Sequence, residues 1–533
     1  MFYFWISLYI VYEKNTMSKL LLEIFSEEIP AKMQIIAIEK LIKLLLEAIP
    51  HSNITHFISP RHICLSIDNF QLVNKISIKG PKTSFDSNQI DGFLKKWNIT
   101  TIDELTIREG IYFLEKELSL EESLDIISSN ISNVLSKMVW PKSMTWNNYT
   151  LSWIRPIHSM ACLVDNAVLP IKFGHITASH KTYGHRSQNS KEIILNSADL
   201  DDYKKSLRDV GVIVSHHERK EIILDQISQI ITPLDLNLIK DEELLDEVVG
   251  LVENPKVFLG KIDHTFMSLP KELLTISLKH HQKYLLLNDA AGNLAPYFII
   301  VSDIEPDDGG KAIISGNEKV LGARLSDAQY FIKTDLQIPF ESLIDKLHKI
   351  QFHKDVGSLY EKVMRIKEIA TSISNQLGID PAHIIRGAML CKNDLVTEAV
   401  GEFPELQGIM GYYYSKANDE NEVVSKAIRD HYKPSGPNDS IPETIEGCIV
   451  AIADKLDTIN ILFAVGIKPT STKDPYALRR AALGIIRMIS NHKLLIEKLK
   501  LNASNEVIEF ICERAKNLYK GPELEKVLAV LKR

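Results

Sequence analysis

Two aspartates and a basic cluster are the residues whose types and spacing could do chemistry. Asp394 opens the stretch Asn393-Asp-Leu-Val-Thr-Glu-Ala-Val-Gly-Glu-Phe-Pro-Glu-Leu-Gln-Gly-Ile-Met-Gly411, a run of acids ended by Pro404 and Gly408. Asp454 stands in Ala453-Asp-Lys-Leu-Asp457. Each interrupts a segment that reads as an apolar helix, and two such carboxylates on separate helices suggest a metal or phosphate site. Further on come Lys473, the pair Arg479-Arg480, and Arg487. Arg480 and Arg487 are spaced to share one face of a helix, and a guanidinium can take a phosphate bidentately. The rival use of these arginines is pairing with acids such as Asp454 or Asp457, and spacing alone leaves the two uses evenly matched.

A metal-dependent phosphohydrolase of the HD type places a His, a His-Asp pair and a later Asp on separate helices. Here Asn393-Asp394 takes the place of the pair and Asp454 that of the later Asp. Asparagine is a poor ligand for the metals that imidazole suits. The reading favoured here is a degenerate centre at Asn393, Asp394 and Asp454, with packing or hydrogen-bonding roles and no metal. His281 and Lys283, in His280-His-Gln-Lys283, fall between a helical pattern and a strand, where an RNA-facing edge and an exposed polar turn are both open. His158, His185 and Arg186 have no partner at motif spacing. Pro141-Lys-Ser-Met144 resembles the lysine loop of class I synthetases, but the matching His-Ile-Gly-His is missing. There is no P-loop, no Gly-x-Gly-x-x-Gly and no class II core, so the chain shows no site for ATP and no catalytic residue of its own.

The elements that must position these residues follow from composition and periodicity. A chain of 533 residues is too long for one core. Its 45% apolar and 25% charged residues are those of a globular protein, and a net charge of −7 argues against indiscriminate nucleic-acid binding while leaving room for a local basic surface. Five scattered cysteines without CxxC spacing fit a reduced, cytosolic chain. Residues 1–12 are apolar but too few to span a bilayer, and Met17 is a plausible start. Leu20–Phe25 reads as a buried strand. Met33 to Leu45 reads as a helix, and Ile63, Leu65 and Ile67 as a half-buried strand. A strand is expected within Ser159–Val164, a helix from Asp199 to Asp209, and a capping box at Ser215-His-His-Glu218. Further strands are expected at Val257–Leu259, Tyr284–Leu287 and Tyr297–Val301, the last two joined by a turn at Asp289–Asn293. From Pro339 the pattern is all helical, with helices at about 382–399, 421–431 and 445–463. Another starts with Asp474 as N-cap and Pro475 in the first turn.

Taken together these stretches resemble the beta subunit of the bacterial heterotetrameric glycyl-tRNA synthetase. The resemblance runs through Leu20-Leu-Leu-Glu-Ile-Phe-Ser-Glu-Glu-Ile-Pro30, Ser59-Pro-Arg-His62, Trp140-Pro-Lys-Ser-Met144, Arg155-Pro-Ile-His158 and Tyr183-Gly-His-Arg186. It is strongest in Leu269-Pro-Lys-Glu-Leu273, His281-Gln-Lys-Tyr284, Gly316-Asn-Glu-Lys-Val-Leu321, Ala323-Arg-Leu-Ser-Asp-Ala328, Val400–Gly408, Ala453–Thr458 and Lys473-Asp-Pro-Tyr-Ala-Leu-Arg-Arg480.

The resemblance implies a multidomain α+β protein. Residues 1–16 are a non-core extension and 17–338 a mixed α/β body. Residues 339–490 form a degenerate HD-like helical domain. Residues 491–533 form a partial helical anticodon-binding domain, of which Val507-Ile-Glu-Phe-Ile-Cys-Glu-Arg514 resembles the opening. It implies a cytoplasmic ligase subunit that binds tRNA(Gly) and joins the alpha subunit in a tetramer of two alpha and two beta chains. In that family ATP and magnesium are used through the alpha subunit, which makes glycyl-adenylate, and the beta subunit binds no cofactor and no membrane. Lys473, Arg479, Arg480, Arg487, His281, Lys283 and Arg324 become the candidates for RNA contact. The rival readings are a non-catalytic RNA-binding scaffold or decayed subunit, and an HD phosphohydrolase.

Overall fold

The computed structural model describes residues 8–11, 17–49, 53–72, 75–85, 87–149, 151–188, 190–470 and 472–533. The chain forms two compact units that interleave along the sequence. The first runs to Lys261 and adds Lys283–Asn317, and the second is Ile262–Gln282 with Glu318–Arg533. The architecture is α+β, with helix dominating the C-terminal region.

The first unit is built on a five-stranded antiparallel sheet in the order Ala167–Val168, Ile157–Val164, Met17–Ser26, His62–Gln71, Asn53–Ile58. Met17–Ser26 is its central strand, with Leu22 paired to Leu65 on one side and Cys162 on the other. Its apolar run is continuous because both faces are covered. Leu20, Leu22 and Ile24 meet the helices Ala31–Ala48 and Leu120–Ser136, while Leu21 joins Cys64, Tyr203 and Leu207 on the opposite face. A second sheet of four strands carries Leu8–Val11 on the edge of Lys75–Lys82, so part of the N-terminal extension is paired backbone. A third sheet, containing Lys256–Lys261, Leu285–Asn288 and Leu294–Ser302, packs on the helices His216–Ile231 and Glu242–Val249. The Asp289–Asn293 turn closes as expected, with Asn293 N–H donating to the Asp289 carboxylate at 2.7 Å. Ser215 caps its helix by accepting from Glu218 N–H. The Glu218 carboxylate, however, pairs with Arg208 rather than completing a capping box.

In the second unit the helix Ile445–Ala464 is buried on all faces from Gly447 to Asp457, apolar there except for Asp454, Lys455 and Asp457. Around it stand Leu359–Leu377, Ala382–Leu390, Glu422–Asp430 and Leu478–Asn491. The apolar residues of the last helices, among them Val507, Ile511, Val527 and Val530, belong to the same core cluster. Three local expectations are corrected. The helix expected over 382–399 stops at Leu390, and Asn393–Val396 is a single 3-10 turn, so Asp394 is not inside a helix. The helix expected to start at Asp474 begins at Leu478. Asp474 still caps it, accepting from the N–H groups of Leu478 at 2.9 Å and Arg479 at 3.0 Å. The region after Pro339 also holds a small strand pair, Gln351–His353 with Gly357–Ser358.

Candidate functional site

The second unit gathers an unusual set of buried charges around Asp454. Helical spacing puts Asp454, Asp457 and Thr458 on one face of Ile445–Ala464, turned toward Leu359–Leu377. On that neighbour Lys362 lies in the buried stripe Leu359, Lys362, Val363, Ile366. Its ammonium is 2.9 Å from Asp454 Oδ1 and donates to Asp457 Oδ2 at 3.1 Å and Thr458 Oγ1 at 2.6 Å. Lys392, just before the 3-10 turn, reaches Asp454 Oδ2 at 2.9 Å and lies over the Tyr432 ring. Arg365 grips Asp457 with Nε on Oδ1 at 2.6 Å and Nη2 on Oδ2 at 3.3 Å. Burial opposes ionisation of Asp454, but Lys362 and Lys392 hold its carboxyl well below the usual range.

The remaining members are fixed by backbone. Lys455 is buried, and its ammonium donates to the carbonyls of His431, Tyr432 and Lys433 at 3.3, 3.0 and 2.9 Å. Burial lowers it to about 8. His431 donates from Nδ1 to the Ile428 carbonyl at 2.6 Å, which leaves the lone pair on Nε2. Burial and then the nearby Lys392 push it well below its ordinary value, so the ring is neutral. Asp394 Oδ2 accepts from Gly408 N–H at 2.5 Å and Gly411 N–H at 3.1 Å, and burial pushes this carboxyl up to about 6. Asn393 donates to the Phe340 carbonyl at 2.8 Å. Asp394 is thus a clamp on the turn that ends the acidic run, and Asn393 a tie to a neighbouring segment. Among the described residues no group of three or more His, Cys, Asp or Glu is assembled as a metal would need. Each Asp454 oxygen faces an ammonium at 2.9 Å, so both positions a metal ion would take are already filled by cations.

A cleft of about 520 Å³ opens above this centre. Asp454 and Lys455 lie in its wall, with Glu405, Gln407, Tyr432, Tyr476 and Arg480 among the other lining residues. The basic candidates divide sharply. Arg487 donates to the carbonyls of Gly436 at 2.9 Å and Asp439 at 2.6 Å, and is a loop clamp. Arg479 donates to the Thr470 carbonyl. Arg480 and Lys473 are exposed. Lys283 pairs with Glu247 at 2.9 Å, and Arg324 with Glu402 at 3.2 Å. His281 ends a π-helical turn, Ser277–His281, and its side chain lies outside the described residues. The three residues that lacked partners at motif spacing have them from far along the chain: His158 with Glu27 at 2.8 Å, His185 with Asp303 at 2.9 Å, Arg186 with Glu28 at 3.0 Å.

Sequence reasoning singled out Asp454 but missed Lys362, Arg365, Lys392, His431 and Lys455. One signal was there: Lys362 sits at the spacing of the apolar stripe on its own helix, which is where a buried charge shows itself. His431 gave none.

The sequence has relatives among known proteins. The family model described as glycyl-tRNA synthetase beta subunit matches residues 20–532. A glycine–tRNA ligase beta subunit from Rickettsia bellii (strain OSU 85-389) is 42% identical over 537 aligned residues, covering 97% of this chain and 80% of that relative. The same subunit from Rickettsia akari (strain Hartford) is 41% identical, covering 95% of this chain and 78% of its own length.

Proposed function

The chain belongs to the glycyl-tRNA synthetase beta subunit family, and we propose on that footing that it is the tRNA-binding, non-catalytic half of a glycine–tRNA ligase. The observation that carries this reading is identity to named beta subunits running through both units of the fold. The alpha subunit supplies the class II core and uses glycine, ATP and magnesium. This chain binds tRNA(Gly) and no cofactor of its own, and works in the cytoplasm in a tetramer of two alpha and two beta chains. No described helix is long and apolar enough to cross a membrane.

The Asp454 centre supports a structural rather than a hydrolytic role for what we read as a degenerate HD-like domain. Its carboxylate is neutralised by Lys362 and Lys392. The helices after Lys493 are the opening of a helical anticodon-binding region in this reading. Of the seven basic candidates, Lys473 and Arg480 suit phosphate contact best, because Arg479, Arg487, Lys283 and Arg324 are engaged within the fold. The test is glycylation of tRNA by this chain mixed with its alpha subunit, against each alone. Activity confined to the mixture is expected. A mixture that forms a stable complex yet does not glycylate would overturn the reading in favour of a scaffold.

A further inference from the structure

We propose that the cleft above Asp454 holds one unpaired nucleotide of RNA, its base stacked on Tyr476, its phosphate on Arg480 and its exocyclic amine on Glu405. The inference rests on the tRNA-binding reading and names where an RNA nucleotide would enter. The cleft, at about 520 Å³, has the size of a small-ligand site. Its lining combines a guanidinium, an aromatic ring, a carboxylate and an amide.

Arg480 lines the cleft, exposed and without a carboxylate partner among the described residues. A free guanidinium is the side chain best matched to phosphate. The wall beneath is compatible with an anion. Asp454 is already claimed by two ammonium groups, and Lys455 is held by carbonyls alone. Tyr476, 39% exposed, is the stacking platform. His353 meets it nearly at right angles, ring centroids 5.9 Å apart at 75°. Such platforms take bases that are not in a duplex.

Glu405 and Gln407 also line the cleft, both exposed and both with side chains unpaired among the described residues. A carboxylate there repels phosphate but accepts from an exocyclic amine, and an amide reads a base edge in either sense. The guanidinium and the carboxylate therefore orient a nucleotide. It also sets a preference: cytosine, which has an amine, over uracil, which has none.

The experiment measures binding of hexacytidylate, hexauridylate, a blunt RNA duplex and tRNA to the full chain in complex with its alpha subunit, by fluorescence anisotropy. Y476A is expected to weaken hexacytidylate by roughly tenfold, with the duplex unchanged within about twofold and Y476F close to wild type. E405Q is expected to erase the preference for hexacytidylate over hexauridylate. R480A is expected to weaken both single strands and lower the salt slope by about 0.7. Unchanged thermal unfolding of each variant shows that the fold is intact. Hexacytidylate binding indifferent to Y476A, or an equal loss on duplex and single strand, overturns the cleft proposal. So does competition by cytidine monophosphate as strong as that by the hexamer, which would make the ligand a free nucleotide. Firm tRNA binding that ignores all three substitutions sinks the cleft and leaves the subunit reading standing. Absence of tRNA binding by the wild-type complex sinks both.

Discussion

Replacing Asp454 by asparagine removes the only carboxylate within ion-pair distance of Lys392 among the described residues and one of the two serving Lys362. The side chains of Lys392 and Lys362 are 3% and 4% exposed, so water cannot take over. Lys362 keeps the Asp457 carboxylate, whereas Lys392 keeps no carboxylate among the described residues, only a neutral amide oxygen and the Tyr432 ring. Breaking a buried pair while one charge stays behind costs about 3–5 kcal/mol. That is a large part of the total for a domain whose net stability is on the order of 5–15 kcal/mol. With a urea m-value of about 2–3 kcal/mol/M, the midpoint of the second unit falls by about 1–2 M. All five tryptophans precede Ile154 in the sequence, so indole fluorescence follows the first unit, and far-UV circular dichroism must follow the second. The pair Lys392→Met with Asp454→Leu removes both charges and is expected to recover at least half of the loss, since apolar replacements of buried ion pairs are often neutral. An Asp454→Asn protein within about 1 kcal/mol of wild type, or a double variant no better than the single one, would refute the charge argument.

Two further outcomes follow from the same geometry. Asp394 titrates at about 6 in the folded chain against an ordinary value of 3.8, so its ionisation opposes folding. Wild-type stability from this group is full below 3.8 and falls as pH rises to about 6; Asp394→Asn, which can still accept from Gly408 and Gly411, should gain on wild type across that window by up to about 3 kcal/mol, read from urea midpoints at stepped pH. Arg487→Ala should cost about 1–3 kcal/mol of stability through its two orphaned carbonyls and leave tRNA affinity unchanged, whereas Arg480→Ala should change stability by less than about 0.5 kcal/mol and lower tRNA affinity; the reverse pattern would restore Arg487 as a phosphate contact.

How much could be read from the sequence depends on which residues carry periodic signals. The central strand at Leu20–Phe25 was legible because a run of apolar residues has few other uses at that length. Ile445–Ala464 was legible because its uninterrupted apolar stretch, Cys448–Ala453, continues in Leu456, Ile459 and Leu462 at helical spacing. Asp394 was misplaced because Asn393–Val396 lies between apolar helical segments and has the composition of either. Its conformation is set by a tertiary bond, the Asp394 carboxylate on Gly408 and Gly411 N–H groups, that no local spacing reveals. The start of the Leu478–Asn491 helix slipped by a few residues because Asp474 caps at a distance, with Ala477 in a left-handed conformation before the first turn.

The site itself shows why carboxylate spacing is a poor guide to metal chemistry. Asp394 and Asp454 sit where a metal-centre pattern would put them, and both are buried. What decides their use is the residue next to each. Lys392 precedes Asn393-Asp394 in the chain and turns its ammonium onto Asp454, so in the degenerate HD-like reading proposed above one segment supplies both the altered ligand position and a cation for Asp454. A carboxylate already neutralised by two lysines gains little from a divalent ion, which would have to displace both and leave them buried and unpaired. The same neutralisation leaves the cleft above it hospitable to an anion. The nucleotide site proposed above therefore rests on the lysines at positions 362 and 392, which neutralise Asp454, and on the exposed guanidinium at position 480.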